Sequence, residues 1–378
     1  MVGDLHYEPP ERADYAAARG RLLAEQLDHV VQLGDQGGYS HCGSWRSFLE
    51  GREFLEEFGV PWATLIGNHD LEGCLYQTDE ESIAAWLEAF GYERPYHTVE
   101  LGPTLGICLS STSFRGNAGC HHEVHIDREQ IAWFERTLEA NRRRPTFVFT
   151  HAPIMGSGVR VLQSLHLRGP NAWVNHCDDP GQFIRIAARN PQIKLWFSAH
   201  NHLGQYYPDS VNRVGSCTYV HTGVIGSISR DGERHSRLVR HDASGFELFT
   251  VDHVTGDLVP DVGCRYDAAD DEAWLRAERA NGWSEAAHFA PPDYPADEVL
   301  LQVGASVFAL HRGMILEYDA EHRAPLGIVC EAVAEGHELQ IEGERLAVVG
   351  PDGAARHFAR GRFGRFSQVW VPNPFAAK

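Results

Sequence analysis

The sequence predicts an α/β fold, and three observations carry that expectation. Short apolar runs alternate with segments of helical period, each apolar run ends abruptly in polar residues, and past about residue 265 the pattern changes to short alternating runs. Strands interleaved with helices imply a layered sheet with helices on its faces, whereas closely spaced strand patterns imply a separate antiparallel module.

The first run is very short. Only Met1 and Val2 precede Gly-Asp-Leu-His-Tyr at 3–7, so Asp4 and His6 stand almost at the amino terminus, where chains usually fray. Residues 11–29 then place Tyr15, Ala18, Leu22 and Leu23 on one helical stripe, and 44–58 does the same with Trp45, Phe48, Leu49 and Phe54. Between these helices Val-Val-Gln-Leu runs into Gly34 and Asp35. WATLIGNHD (62–70), FVFTHAP (147–153) and KLWFSAHNH (194–202) likewise read as buried strands ending in polar groups, and LGICLSSTS is a further strand pattern. The segment 127–140 opens on Asp127, with Glu129 and Gln130 following, and carries Ile131, Phe134 and Leu138 as its apolar stripe. A helical stretch with Trp274, Leu275 and Trp283 leads into FAPPDYPADE, whose prolines read as a linker. Runs such as VLLQVGASVFAL, MILEYD, HELQIEG and RLAVVG follow, with a Pro351-Asp352-Gly353 turn signal. The expected organisation is a main domain over 1–265, a helix and Pro-rich linker over 266–298, and a β-rich accessory domain over 299–378, which could pack on the main domain, rim its pocket or form a homo-oligomer.

Composition narrows the function classes. A formal charge of −19, from 52 acidic and 33 basic residues, repels a phosphate backbone and argues against nucleic-acid or membrane-surface binding. A small anionic substrate would need a local positive centre. The eight cysteines are scattered without a C-x-x-C pair, which suits reduced thiols in a cytoplasmic protein. No run approaches the length of a membrane span.

The polar residues at the strand ends are the informative ones. In open α/β sheets the carboxyl ends of strands form the ligand crevice, so Asp4, His6, Asp35, Asn68, His69, His151, His200 and His202 should converge despite their separation in sequence. Each alone has a plain alternative: an aspartate can cap a turn, and Gly-Asn-His-Asp can be one. As a set they offer carboxylate, amide and imidazole donors, which suit manganese, iron or zinc, whereas calcium or magnesium would favour oxygen alone.

GDLHY, LGDQ, GNHD, FTHAP and AHNH, in that order, resemble the five blocks of the calcineurin-like metallophosphoesterases over roughly residues 1–255. The resemblance implies a layered αββα sandwich and two transition-metal ions, divalent or trivalent. It implies that Asp4, His6 and His202 hold one ion, that Asn68, His151 and His200 hold the other, and that Asp35 bridges both. His69 would contact the scissile phosphate or the leaving group as the catalytic residue, and a metal-bridging hydroxide would attack phosphorus in line. The sequence departs from the family pattern at three places: strand one is reduced to Met1 and Val2, Ala199 replaces the usual glycine, and Gly38 replaces an aspartate that often orients the block-three histidine. His69 must then find another partner.

Candidate substrate contacts are His41, in the loop after Asp35, His121 and His122 in CHHEVH, and Arg160 in the long 156–177 loop, which is placed to be a lid or specificity element. The expected activity is hydrolysis of small phosphodiesters, cyclic nucleotides included. The alternatives are a phosphomonoesterase or nucleotidase and, from a different class, a non-catalytic scaffold of the same fold; scaffolds typically lack one or more of the histidines, all of which are present here.

Overall fold

The computed structural model describes residues 1–73, 75–115, 124–159, 161, 172–175, 182–206, 210–266, 273–275, 301–311, 314–320, 325–330, 337–360 and 366–369. The chain divides into two compact units, Met1–Arg160 with Asn171–Ser284, and Val161–Pro170 with Glu285–Lys378.

The first unit is built on central strands that are buried on both faces. β1 (Val30–Gln32) and β2 (Trp62–Thr64) pair in parallel. β3 (His97–Leu101), β4 (Thr104–Cys108), β5 (Thr146–Phe149), β6 (Ile193–Ser198), β7 (Val211–Val214) and β8 (Cys217–His221) form a six-stranded sheet in the order β3-β4-β5-β6-β8-β7, parallel except at its two edges. β9 (His235–His241), β10 (Gly245–Asp252) and β11 (Leu258–Arg265) are antiparallel neighbours. The first three residues join β1 to β9: Val2 pairs with Gln32, and the Met1 carbonyl accepts from the Arg237 N–H at 3.0 Å. This short first segment is therefore held from both sides, and it anchors Asp4.

Three separate cores mark four layers. Val148 and Trp196 pack with Phe134, Leu138, Phe183 and Ile186, on one face of the six-stranded sheet. Phe147, Phe149, Leu195 and Phe197, alternate residues of the same strands, face Val31, Leu65, Phe246 and Val262 between the two sheets. Val30, Ile66 and Val251 turn the opposite way, toward Tyr15, Leu22, Phe48 and Trp86. The period of two sends successive side chains to different cores. The result is the αββα sandwich.

Helices cover the outer faces. α1 (Arg12–Ala24) buries Tyr15, Ala18 and Leu22 and leaves Leu23 outside; α2 (Trp45–Glu56) starts in a Ser44/Ser47 capping box and buries Phe48, Phe54 and Leu55, with Trp45 and Leu49 exposed. α3 (Asp79–Phe90), capped by Thr78, and the short α5 (Gln182–Arg189) are two helices the sequence reading passed over. α4 (Arg128–Ala140) begins at Asp127, whose side chain accepts from the Gln130 N–H, and buries Ile131, Phe134 and Leu138 as expected.

One expectation is overturned. Trp274 and Leu275 lie in a strand, β12 (Ala273–Leu275), paired with β11, and not in a helix: a passing segment satisfies the open N–H and C=O groups of a sheet edge. The Pro-rich stretch that follows lies outside the described residues.

The second unit holds two four-stranded antiparallel sheets. β13 (Leu301–Val303), β14 (Ser306–His311), β15 (Met314–Asp319) and β16 (Pro325–Cys330) form one; β17 (Glu338–Glu342), β18 (Arg345–Val349), β19 (Ala355–Arg360) and β20 (Phe366–Val369) form the other. Phe308, Ile315, Val329, Leu346, Val348 and Phe358 make one core from both sheets. No helix among the described residues is long and apolar enough to cross a membrane.

Candidate metal centre

Each polar block follows a short buried strand, where the chain turns sharply. His6, Asp35, His200 and His202 all have positive φ, at 40°, 57°, 72° and 51°, an unusual conformation for side-chain-bearing residues and one that gathers at functional sites. Two glycines allow the turns to approach. A Cβ on Gly34, itself at φ 90°, would lie 2.5 Å from the Gly67 nitrogen, and one on Gly67 would lie 2.1 Å from Asp35 Oδ1. Asp70 clips the loops together, accepting from the N–H groups of Asp35, Gln36 and Gly67 at 2.8–2.9 Å. Burial first, and then the charge of Asp35, raise its pKa to about 6 against the pull of those donors.

The side chains form two buried groups that share Asp35. Asp4, His6, Asp35 and His202 make one, and Asp35, His151 and His200 the other. Within the first, His6 Nε2 lies 3.0 Å from His202 Nε2 and 3.4 Å from Asp35 Oδ2, and Asp4 Oδ1 is 3.2 Å from His202 Nε2. Within the second, His151 Nε2 lies 3.2 Å from Asp35 Oδ2 and 3.1 Å from His200 Nδ1. Asn68 belongs with it, its Oδ1 being 3.0 Å from His151 Nε2.

These groups fit two cations. The Leu33 carbonyl, 2.7 Å from His151 Nδ1, accepts a hydrogen bond from that nitrogen, and the Gly37 carbonyl, at 3.2 Å, does the same for His6. With Nδ1 committed to a carbonyl, Nε2 of each ring is the atom turned toward the other donors. Asp4 Oδ1 and Asp35 Oδ2 are fully buried and accept no hydrogen bond of good geometry. Donor atoms gathered about 3 Å apart are what side chains that would hold one ion together show. The pocket also attracts positive charge. Burial works against a charged His151, yet Asp35, Asp4 and the Leu33 carbonyl raise its pKa to about 9. Burial alone would raise the carboxyl pKa values, but His202 beside Asp4 and His151 beside Asp35 hold both below the ordinary carboxylate range.

Glu72 supplies what Gly38 lacks. Its Oε2 lies 2.7 Å from His69 Nδ1, while its Oε1 accepts from Asn68 Nδ2 at 2.8 Å, which leaves the Asn68 oxygen aimed at His151. One carboxylate thus orients two neighbouring side chains. The His69 N–H donates to Asp35 Oδ1 at 2.9 Å, and the ring lies 5.0 Å from that of His6. Burial disfavours charge on His69, but Asp35, Cys42 and Glu72 raise its pKa well above the usual histidine value.

Not every sequence candidate joins this group. His41 directs one ring nitrogen to Ser40 at 2.8 Å and the other to Glu50 at 2.7 Å. His121, His122 and Arg160 lie outside the described residues. Glu72, Asp70, Tyr39 and Arg230 do reach the cluster and were not among the site residues expected from sequence. Asp70 closes the GNHD block and could have been found there; Glu72 sits three residues after His69; no sequence signal marks Arg230. A third acidic and imidazole group, Glu233, His235 and Asp252, has different chemistry. The Gln205 N–H donates to His235 Nδ1, so Nε2 carries the proton toward the two carboxylates and has no lone pair for an ion.

Sequence comparison agrees with this geometry. A probable cyclic nucleotide phosphodiesterase of Rhodopseudomonas palustris is 24% identical over 202 residues, covering 52% of this chain and 64% of the relative. One from Synechococcus is 25% identical over 187 residues, covering 50% and 62%. The chain thus spans somewhat under two thirds of the length of these relatives. Among solved structures, the yellow lupin purple acid phosphatase aligns at a TM-score of 0.46 with 13% identity, over 66% of this chain and 48% of that one. A Thermus thermophilus protein aligns at 0.40 with 11% identity, over 69% and 95%. Residues 1–204, more than half of the sequence and the span holding all five polar blocks, match the calcineurin-like phosphoesterase family, and the chain belongs to that family.

Proposed function

We propose that this chain is a metal-dependent phosphodiesterase acting on small phosphodiesters, cyclic nucleotides among them. One observation carries the reading: two buried ligand groups share the carboxylate of Asp35. In this reading Asp4, His6 and His202 hold one ion, Asn68, His151 and His200 hold the other, and Asp35 lies between them. The donor set fits manganese, iron or zinc. When bound, the two ions supply the Lewis acidity that activates water and offsets the charge of an in-line displacement at phosphorus.

The remaining roles belong to the chain itself. Asn68 presents its amide oxygen because Glu72 holds its nitrogen. Held toward its protonated form, the His69 imidazole hands a proton to the departing alkoxide. Asp70 and the glycines at 34 and 67 keep the loops bearing Asp35 and Asn68 in contact. The diester preference leans on the two relatives called probable cyclic nucleotide phosphodiesterases. A non-catalytic scaffold is disfavoured because every ligand position is filled.

The test is a hydrolysis screen of the manganese-reconstituted chain against bis(p-nitrophenyl) phosphate, p-nitrophenyl phosphate and cyclic nucleotides. Diester cleavage that a chelator abolishes and manganese restores is the expected result. A wide preference for the monoester would establish the phosphomonoesterase instead, and metal-replete protein inert toward all of them would leave the scaffold.

A further inference from the structure

We propose that Tyr39 and Arg230 form the substrate clamp at the mouth of this centre, Arg230 taking a phosphate oxygen and Tyr39 stacking on a nucleobase or other planar group of the ester. The inference rests on the phosphodiesterase reading and adds a preference for nucleoside over simple alkyl esters.

Tyr39 is unusual in being both exposed and in contact with the cluster. The residue is 53% accessible, whereas His6 and His202 beneath it are at 2% and 1%. Its ring centroid lies 4.8 Å from that of His6, 5.0 Å from that of His69 and 6.4 Å from that of His202. The ring therefore lies against three imidazoles while the rest of its surface meets solvent at the edge of the site. An open aromatic face at the entrance to a phosphate site is what a base stacks on, and such stacking tolerates any base.

Arg230 brings the positive charge that an acidic protein otherwise withholds. Its backbone N–H donates to the His202 carbonyl at 2.8 Å, and its guanidinium donates to the Asn201 carbonyl at 2.9 Å, so both ends are tied to the turn that bears His202. The guanidinium interacts with Tyr39 and with the charges of Asp4 and Asp35. One Nη contact to the Asn201 carbonyl and one hydrogen bond to Tyr39 leave further donors of the five-donor fork to meet a phosphate oxygen, the geometry arginine serves best. Tyr39 comes from the loop after β1 and Arg230 from the loop before β9, so the two close on the cluster from separate parts of the chain.

Two esters with the same leaving group separate the roles: thymidine 5′-p-nitrophenyl phosphate and methyl p-nitrophenyl phosphate. Tyr39→Ala should lower kcat/KM for the nucleoside ester about tenfold more than for the methyl ester, the extra loss falling mostly on KM. Tyr39→Phe should keep the wild-type ratio. Arg230→Gln should lower kcat/KM for both esters alike, by about tenfold or more, since the phosphate is common to them. Both variants should retain the wild-type metal content, which separates contact with substrate from ligation. Equal loss on both esters in Tyr39→Ala, loss of metal in that variant, or unchanged kinetics in Arg230→Gln would overturn the clamp while the phosphodiesterase reading stands. A metal-replete wild type inert toward both esters would overturn the two together.

Discussion

Asp35→Asn should empty both ion sites at once and lower turnover by on the order of 10³-fold or more, beyond the roughly 10–100-fold that follows loss of an outer-sphere partner. Asp35 is the residue common to the two ligand groups, and its Oδ2 lies 3.4 Å from His6 Nε2 and 3.2 Å from His151 Nε2. Asparagine keeps the volume and an oxygen but removes the charge that draws cations to both sides. Elemental analysis after manganese reconstitution reads the outcome directly, and circular dichroism shows whether the fold persists. Folded Asp35→Asn protein with full metal content would exclude the bridging role.

His69→Ala should leave the ions in place and reduce turnover by about 10²–10⁴-fold on esters with alkoxide leaving groups. Its ring is held by Glu72 and packed beside His6 and Tyr39, while the backbone N–H of His69 donates to Asp35 Oδ1. A p-nitrophenolate departs without a proton, so esters carrying it should suffer far less. The diagnostic quantity is the ratio of the two losses. Equal losses on activated and unactivated esters would mean that His69 helps bind the phosphate and does not protonate the leaving group.

The central architecture was legible because burial on two faces leaves little freedom. Residues 147–149 and 195–197 form continuous apolar runs whose side chains alternate between two cores, and each run stops where the chain leaves the sheet, so the polar residues that follow mark the crevice. Asp127 announced α4 because its side chain caps the Gln130 N–H. Elements outside that logic were harder to see. α3 opens with Asp79, Glu80 and Glu81, which resemble a solvated charge run, and α5 has only eight residues. At Trp274 the pull of an open sheet edge overrode local pattern and produced a strand.

The same contrast holds at the site. Residues of the two ligand groups occupy ordered blocks with fixed neighbours, so the sequence displays them. Residues that orient or flank them act over distances no periodicity records. Glu72 reaches both Asn68 and His69 through a local turn. Arg230 reaches the cluster only because its loop hydrogen-bonds to the His202 carbonyl. The shortened first strand looked too small to hold Asp4. It succeeds because Val2 pairs with Gln32, Met1 pairs with Arg237, and the His200 N–H donates to Asp4 Oδ2 at 2.8 Å.

The central claim is that Asp35 joins two ion sites in one pocket, and anomalous diffraction from crystals of the manganese-loaded protein tests it most directly. The account predicts two peaks about 3.5–4 Å apart, one among Asp4, His6 and His202 and the other among Asn68, His151 and His200, with Asp35 between them. A single peak, or peaks that avoid Asp35, would contradict it.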